Sequence, residues 1–384
     1  MKKYDFDKLA NRRNTSSLKW DLEPECLPLW VADMDFLAPD FIVEALQKRV
    51  DIKAYGYSLI PEDFYKSVIR WWNDRHHVKF EREWLVYTSG IVAAISSIVR
   101  RVTNVGDNVV VMSPVYNIFY NSIINNQRVV LDSPLVHENG QYHINFNDLE
   151  AKLSLDKTSL LIFCNPHNPT GNLWSKEELA KIGELAKKHN VIVVSDEIHC
   201  DFVEKGYEYI PFIAANETNK EVSITCVSPS KVFNIAGLQS ACIVIPDEKL
   251  RKFVERGFNN DEIAEPNFFS MDVNIAAFTK GDEYVDELNE YISNNRKYMS
   301  QFIKDRLPKL KLIEAHSTYF AWVDISAYSS NSVEFCRLLK QKAHLFFSDG
   351  EEYGKSGRTF IRINLATSLA NVKEALNRLE KFLT

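Results

Sequence analysis

Short apolar runs alternate with helical patterns between about Val86 and Ile245, and this alternation constrains the fold more than any other feature of the sequence. Apolar runs of strand length that alternate with amphipathic helices are typical of parallel strands buried between two helical layers. We therefore expect an α/β unit with a mostly parallel central sheet. The predicted strands are Val109–Met112, Leu160–Cys164, Val191–Ser195, Ser223–Val227 and Ala241–Ile245.

Helices are predicted from local signals between and after these strands. Residues 175–190 begin with Ser175, and a glutamate three residues later gives the spacing of a capping box. A second helix, long and charged, is predicted through Asp282–Arg306. Separated strands at Tyr319–Ile325 and Phe360–Leu365 and a final helix are predicted to follow.

The change of pattern after about Asn274 indicates a second, smaller α+β unit. We predict a large domain over residues 45–275 and a small domain that combines residues 1–44 with residues 276–384. The chain shows no internal repeat and no low-complexity linker, so the two domains are expected to pack together and share a cleft.

Charge and composition argue against several classes of protein. The formal net charge is -6, and basic residues are scattered among acidic ones rather than gathered into a nucleic-acid-binding stripe. The first residues lack the apolar run of a secretory signal, and no stretch suits a membrane-spanning helix. We expect a cytoplasmic protein that binds neither nucleic acid nor membrane. The six cysteines form no Cys-x-x-Cys pair, so we expect buried, reduced thiols and no metal site.

Three polar residues each follow a predicted strand, at the sheet edge where open α/β sheets bind ligands. Asn168 lies in a loop made rigid by two Asn-Pro dipeptides and a glycine. Asp196 would be poorly solvated there and would need a cationic partner. Lys231 would be partly desolvated, which lowers the pKa of its amine and makes it a nucleophile toward an aldehyde. The ordinary alternatives are a strand-to-helix turn, a helix cap and a solvated surface lysine.

Taken together, Asn168, Asp196 and Lys231 resemble the fold-type I pyridoxal-phosphate enzymes of the aminotransferase class I and II superfamily. The resemblance implies that Lys231 holds pyridoxal 5'-phosphate as a Schiff base. It also implies that Asp196 pairs with the pyridine nitrogen and that Asn168 bonds the ring hydroxyl oxygen. An anion beside the pyridine nitrogen keeps it protonated, and the protonated ring withdraws electrons from the substrate Cα.

The phosphate of such a cofactor is expected at a helix N-terminus, where free N–H groups and the helix dipole favour an anion. Gly90, Ile91 and Val92 open a predicted helical run and meet this requirement. Tyr57 resembles the tyrosine that reaches the phosphate from the neighbouring subunit, which implies a homodimer with shared active sites. Further hydroxyl donors are expected from Ser228 and Ser230.

Three more residues are expected around the substrate. Tyr116 looks like the aromatic residue that stacks on the cofactor ring, with a core tyrosine as the alternative. Arg362 lies on a predicted strand, and its guanidinium suits a carboxylate held by two hydrogen bonds. The resemblance assigns that partner as the substrate α-carboxylate, and a structural salt bridge is the alternative. Trp30, with Tyr116, is expected to wall the leaving-group pocket.

Longer segments are similar to the MalY/PatB-type branch of this superfamily, which comprises cystathionine β-lyases and cysteine-S-conjugate β-lyases. Two departures from ordinary aminotransferases support this branch. His199, which we expect to contact the cofactor, stands where many of them have a tyrosine that bonds the cofactor oxygen, and Gln239 stands where they commonly carry a phosphate-binding arginine. The similar segments are residues 12–20, 28–36, 55–57, 196–199 and 230–238.

This resemblance implies α,β-elimination of L-cystathionine or a related L-cysteine S-conjugate to a thiol, pyruvate and ammonia. In that reaction Lys231 removes the Cα proton. Two alternatives stay open. One is an aminotransferase on a small amino acid, which would need a keto-acid acceptor. The other is a regulatory protein, because a MalY-like lyase can also bind a transcription activator and hold it inactive.

Overall fold

The structure is a computed structural model that describes residues 3–384. The strands in chain order are β1 (Leu27–Pro28), β2 (Leu85–Thr88), β3 (Asn108–Val111), β4 (Val129–Asp132), β5 (Val136–Glu138), β6 (Gln141–His143), β7 (Thr158–Cys164), β8 (Ile192–Asp196), β9 (Ser223–Val227), β10 (Ala241–Val244), β11 (Lys311–Leu312), β12 (Phe320–Asp324), β13 (Leu345–Phe346), β14 (Ser348–Asp349) and β15 (Phe360–Asn364). The α-helices are α1 (Leu18–Asp21), α2 (Asp40–Asp51), α3 (Glu62–His76), α4 (Ile91–Val102), α5 (Asn117–Ile124), α6 (Phe146–Leu153), α7 (Lys176–Lys188), α8 (Glu217–Val222), α9 (Glu248–Asn260), α10 (Ser270–Lys280), α11 (Asp282–Arg306), α12 (Ser332–Leu338) and α13 (Leu369–Leu383).

A seven-stranded central sheet in the order β2-β10-β9-β8-β7-β3-β4 confirms the predicted, mostly parallel sheet. One strand departs from the parallel direction, since β10 runs antiparallel to both of its neighbours. Parallel neighbours need a long crossover, usually a helix. Residues 228–240, which link β9 to β10 and are all described, hold a short 3-10 turn in place of such a helix, so the chain returns alongside β9.

Both faces of this sheet are buried, as the apolar runs predicted. In β7 the alternation of side chains sends Leu160 and Ile162 to the core that contains α4, α5 and α9. Leu161 and Phe163 point to the opposite core, which contains α6 and α7. The sheet therefore leaves its strand ends, rather than its faces, open to a ligand.

The predicted helices are confirmed. The Ser175 side chain accepts a hydrogen bond from the Glu178 backbone, and the Glu178 side chain accepts one from the Ser175 backbone, so α7 begins with the expected capping box. Helix α11 has the predicted bounds. Such agreement is expected where local capping signals and a strong helical period coincide.

A second, antiparallel sheet in the order β11-β12-β15-β14 forms the smaller α+β unit. Apolar residues of α11 and α13 cover one face of it in a separate core. The amino-terminal segment joins this unit, because Leu27 of β1 pairs with Leu345 of β13. The domain boundaries near residues 45 and 275 stay a prediction.

The cysteines agree with the expectation of reduced thiols, since all six are free and buried. Within residues 3–384, none of the helices combines the length and the apolar character that crossing a membrane requires.

Candidate active site

A cavity of about 470 Å³ lies at the ends of β8 and β9, against the N-terminus of α4, and Ala32 is also on its wall. It brings together residues that are far apart in the chain, at the sheet edge where the sequence placed them. All the predicted cofactor contacts of this chain except Tyr57 line it. They are Gly90, Ile91, Val92, Tyr116, Asn168, Asp196, His199, Ser228, Ser230 and Lys231.

Lys231 lies in a tight turn after β9 and extends its side chain to the cavity. Its Nζ donates a hydrogen bond of 2.8 Å to the carbonyl oxygen of Ala32. Burial lowers the pKa of Lys231 to about 8, against a smaller upward effect of Asp33. The alternative of a solvated surface lysine is therefore wrong. At neutral pH this amine has a larger uncharged fraction than an ordinary lysine, as a nucleophile requires.

Asp196 is the last residue of β8 and is only 4% exposed. Its carboxylate accepts a hydrogen bond of 3.2 Å from the Ile198 backbone, so it caps a turn rather than a helix. Burial raises the pKa of Asp196 to about 6. Among residues 3–384 no side chain forms an ion pair with it, and the attraction of Lys231 offsets only part of the effect of burial on its pKa. A buried carboxylate in this state suits a ligand that brings its own positive charge.

Arg362 lies beside this cavity and contacts one of its lining residues. Nη1 donates to Asn168 Oδ1 at 2.9 Å, and Nη2 donates to the carbonyl oxygen of Trp30 at 2.8 Å. The guanidinium carbon stands 3.9 Å from the centre of the Phe320 ring. Arg362 is only 3% exposed, yet it forms no ion pair with any described carboxylate, and its Nε has no partner among residues 3–384. The structural salt bridge is therefore not formed, and the guanidinium has capacity for an anionic ligand.

The N-terminus of α4 forms the other end of the cavity. Gly90 precedes the helix with φ +145°, a conformation that favours glycine, and no described atom lies within 4 Å of the position of an added Cβ. The first N–H groups of a helix have no intrahelical acceptor, so this end offers donors to an anion. Ser228 is less available than predicted, because its hydroxyl donates to the carbonyl oxygen of Ser240 at 2.7 Å.

His199 is buried against aromatic residues on the wall of the cavity. Its ring packs edge-on against Tyr319 and Phe320, with ring centres 5.6 Å apart in both pairs. Burial lowers the pKa of His199 well below its usual value, so the ring is neutral. Its Nδ1 has no hydrogen-bond partner in the described part of the chain, which leaves a polar atom for a ligand.

Two predicted contacts take other positions. Tyr57 is fully exposed, on a segment without regular structure, and its predicted role in a second subunit stays a prediction. The Trp30 ring stacks on Phe346 with ring centres 4.6 Å apart, while the Trp30 carbonyl binds Arg362. Its role as a wall of the leaving-group pocket also stays a prediction.

A larger cavity of about 750 Å³ lies elsewhere, and His76, Cys200 and Asp201 on its wall have ligand atoms within 4.8 Å of one another. We do not interpret them as a metal site. Asp201 already accepts a hydrogen bond from Trp71 at 2.9 Å and pairs with His76 at 3.0 Å. The Arg75 guanidinium lies 3.9 Å from the same oxygen and would repel a metal cation. The smaller cavity, which Lys231 and Asp196 line, is therefore the candidate active site.

Sequence reasoning missed Asn234 and Asn364, whose side chains bind the backbone of residues on either side of Ala32. Asn234 lies in one of the segments similar to the lyase branch, and Asn364 lies on a predicted strand. Their side chains bind backbone carbonyls rather than other side chains. A carbonyl acceptor is present in every residue, so the sequence carries no signal for such contacts.

Comparison with known proteins supports the geometry. Residues 24–379 match the family model for aminotransferase class I and II. Cystathionine beta-lyase PatB of Bacillus subtilis is 39% identical over 99% of this chain and 100% of its own length. The crystal structure of cystalysin from Treponema denticola, which contains pyridoxal 5'-phosphate, has a TM-score of 0.94 at 33% identity and 98% coverage of both chains. A pyridoxal-phosphate-bound C-S lyase from Staphylococcus hominis has a TM-score of 0.93 at 32% identity, covering 99% of this chain and 98% of its own. The chain therefore belongs to the aminotransferase class I and II family.

Proposed function

We propose that this protein is a pyridoxal 5'-phosphate-dependent carbon-sulfur β-lyase. Its substrate is L-cystathionine or a related L-cysteine S-conjugate, and its products are a thiol, pyruvate and ammonia. The observation that carries the proposal is a single cavity in which an amine with a pKa of about 8, an unpaired buried carboxylate and a helix N-terminus face one another. Relatives named as cystathionine β-lyase and C-S lyase support the choice of reaction.

The lining residues fit pyridoxal 5'-phosphate group by group. The Lys231 amine suits the aldehyde, the Asp196 carboxylate suits the protonated pyridine nitrogen, and the N-terminus of α4 suits the phosphate. Asn168 and Tyr116 complete the set as partners of the ring hydroxyl oxygen and the ring face. When bound, the cofactor withdraws electrons from the substrate Cα, so that the Cα proton becomes removable.

The protein's own groups would do the rest. Arg362 binds the substrate α-carboxylate and, with Asn168, orients the Cα–H bond. The Lys231 amine would act as the general base that takes the Cα proton. The electron pair released at Cα would then form a double bond to Cβ while the bond between Cβ and sulfur breaks with its electron pair going to sulfur, and Lys231 would give the proton to the leaving thiolate. The remaining three-carbon unit is hydrolysed by water to pyruvate and ammonia.

We further propose a cytoplasmic homodimer in which Tyr57 of one subunit reaches the phosphate in the other. The exposed aromatic ring of Tyr57 and the neighbouring Leu59, which is 90% exposed, support a covered position in a dimer. The six free thiols favour a reducing compartment. Sedimentation of the purified protein tests the dimer: a monomer at micromolar concentration would contradict it.

The test of the reaction is to incubate the purified protein with pyridoxal 5'-phosphate and L-cystathionine, without any keto acid, and to assay pyruvate. The β-lyase forms pyruvate together with a thiol in equal amounts. An aminotransferase would not turn over without an acceptor. Absence of pyruvate and thiol, with cofactor bound, would contradict the proposal and favour the aminotransferase.

A further inference from the structure

Trp30 to Met34, here called the carbonyl strap, form a short segment without regular secondary structure that crosses the candidate active site. Each of its five consecutive backbone carbonyls accepts a hydrogen bond from a side chain. A segment without a helix or sheet partner normally turns its carbonyls to water. Here side chains hold them, so the position of the carbonyl strap depends on those donors.

One set of donors comes from strand β15 of the small sheet. Arg362 donates to the carbonyl of Trp30. Asn364, two residues later on the same strand, donates to Val31 at 2.8 Å and to Asp33 at 2.9 Å. The strand that carries the carboxylate-binding arginine therefore also holds the carbonyl strap.

The second set comes from the loop that carries the lysine. Lys231 donates to the carbonyl of Ala32 at 2.8 Å. Asn234 donates to the carbonyl of Met34 at 2.8 Å and accepts from the Met34 N–H at 3.0 Å. Asn234 adopts a left-handed backbone conformation with φ +55°, which asparagine tolerates better than most residues.

Two cations of the amino-terminal segment complete the attachment. Lys19 donates to the carbonyl of Asp33 at 2.9 Å and pairs with the fully buried carboxylate of Asp35. Arg12 donates to the carbonyl of Met34 and binds the Asp33 carboxylate with both terminal nitrogens, at 2.7 and 2.6 Å. These contacts tie the carbonyl strap to the amino-terminal segment, while Asn364 ties it to β15 and Asn234 ties it to the loop that carries Lys231.

We propose that Asn234 and Asn364 are positioning residues: they hold the carbonyl strap so that the Ala32 carbonyl sets the place of the Lys231 amine. The inference rests on the proposed function. The free amine needs an acceptor near the substrate Cα after it has been released, and Ala32 is the acceptor that the structure shows. Loss of Asn364 removes a donor from each of the Val31 and Asp33 carbonyls, and loss of Asn234 leaves the Met34 N–H without its acceptor, so the carbonyl strap loosens and Ala32 can shift. A shift of about 1 Å in a catalytic group costs up to about a hundredfold in rate.

The test compares Asn234→Gly and Asn364→Ala with Asn295→Ala. Glycine is chosen at residue 234 because it accepts the positive φ without strain. Asn295 is a matched control for Asn364: both are 1% exposed, and Asn295 also donates to two backbone carbonyls, those of Leu365 and Thr367. It does not bind the carbonyl strap.

We expect the melting temperature to fall in all three variants, since each loses buried hydrogen bonds. In the holoenzyme, kcat for pyruvate formation should fall about ten- to a hundredfold in Asn234→Gly and Asn364→Ala, and stay within about twofold in Asn295→Ala. The KM of Asn234→Gly should change little, because Asn234 does not touch Arg362 or its partners. A kcat loss of the same size in the control, or no loss in the other two variants, would overturn the proposal.

Two further readouts do not depend on turnover. In the cofactor-free chain, backbone amides of residues 29–36 should exchange hydrogen faster in Asn234→Gly and Asn364→Ala than in the wild type or Asn295→Ala. Pyridoxal 5'-phosphate should also bind Lys231 about tenfold more slowly in those two variants. If the wild type forms no pyruvate, the proposed function fails, and these two readouts still decide the role of the asparagines. Unchanged hydrogen exchange and an unchanged rate of cofactor uptake in Asn234→Gly and Asn364→Ala would overturn the positioning role of these asparagines.

Discussion

Two buried aspartates five residues apart, Asp196 and Asp201, show what separates a binding site from a structural site in this protein. Both are about equally buried, at 4% and 5% exposure. Asp201 is saturated by the chain itself, through Trp71, His76 and the nearby Arg75. Asp196 accepts one backbone hydrogen bond and has a pKa raised to about 6 by burial. A buried charge on a cavity wall that the fold leaves with neither a counterion nor a full set of hydrogen bonds indicates a ligand that supplies them.

The same contrast holds for two arginines. Arg75 pairs with Asp286 at 2.9 Å and lies near Asp282 and Asp201. Arg362 is as well buried as Asp196, and no described carboxylate pairs with it. Among the described residues, Asp196 and Arg362 at the smaller cavity therefore have no ion-pair partner, whereas Asp201 and Arg75 at the larger cavity are paired.

The largest expected effect concerns Lys231, which lines the same cavity as Asp196. Lys231→Ala removes both the group that holds the cofactor and the base, so pyruvate formation should fall about 10⁴-fold. Circular dichroism should show an intact fold, because no described ion pair depends on Lys231. Thiol release at the wild-type rate would contradict the mechanism.

Asp196→Asn and Asp201→Asn test the contrast between the two aspartates directly in the holoenzyme. A neutral amide cannot keep the pyridine nitrogen protonated, so Asp196→Asn should lower kcat about 10²- to 10³-fold. Asp201→Asn should leave the activity per folded molecule within about threefold, since Asp201 contacts structural groups. Equal losses of kcat in the two variants would break the comparison.

The stability of the same two variants should change in opposite directions. Asp201→Asn leaves Arg75 with a weaker buried partner and should destabilise the fold by about 3 kcal/mol. Asp196 has a folded-state pKa above its unfolded value, so its contribution to stability is present at low pH and is lost as the pH rises through about 6. Asp196→Asn should therefore stabilise the cofactor-free protein at pH 7.5, by about 2 kcal/mol, and have little effect near pH 4. Chemical denaturation at both pH values measures this, and destabilisation at pH 7.5 would refute the unpaired state of Asp196.

A smaller effect is expected at the unpaired arginine. Arg362→Lys keeps the charge but loses the planar pair of donors, so the KM for L-cystathionine should rise about tenfold with a smaller change in kcat. Arg75→Lys is the matched control at the structural site and should leave the KM unchanged. A KM shift of the same size in both variants would mean that Arg362 acts through the fold rather than on the substrate.

The last effect is a pH profile. The Lys231 amine must be uncharged to bind the cofactor aldehyde, and burial lowers its pKa to about 8. The rate of cofactor uptake by the cofactor-free protein should therefore rise with pH and level off above about 8. Stopped-flow absorbance measures it. A rise that continues to pH 10, as for an ordinary lysine, would show that Lys231 is not desolvated.

Much of this site could be predicted from the sequence, because strand ends are readable from apolar runs. Asn168, Asp196 and Lys231 were each placed by the strand before them, and all three line one cavity. Local capping and period likewise predicted α7 and the bounds of α11.

Features that depend on contacts between distant segments were not readable. The reversed direction of β10 follows from how the lysine loop folds back, and apolar patterning does not report strand direction. The carbonyl strap is held through backbone carbonyls, which are the same in every residue. The hydrogen bond from the Ser228 hydroxyl to the Ser240 carbonyl could not be predicted either, because its acceptor is again a backbone carbonyl.

The central claim is that the smaller cavity holds pyridoxal 5'-phosphate through Lys231, beside the unpaired Asp196. Borohydride reduction of the cofactor-loaded protein, followed by peptide mass spectrometry, tests it most directly because it locates the amine that holds the cofactor. The account predicts the added mass on the peptide that contains Lys231 and its absence in Lys231→Ala. The added mass on another lysine, or on none, would contradict it.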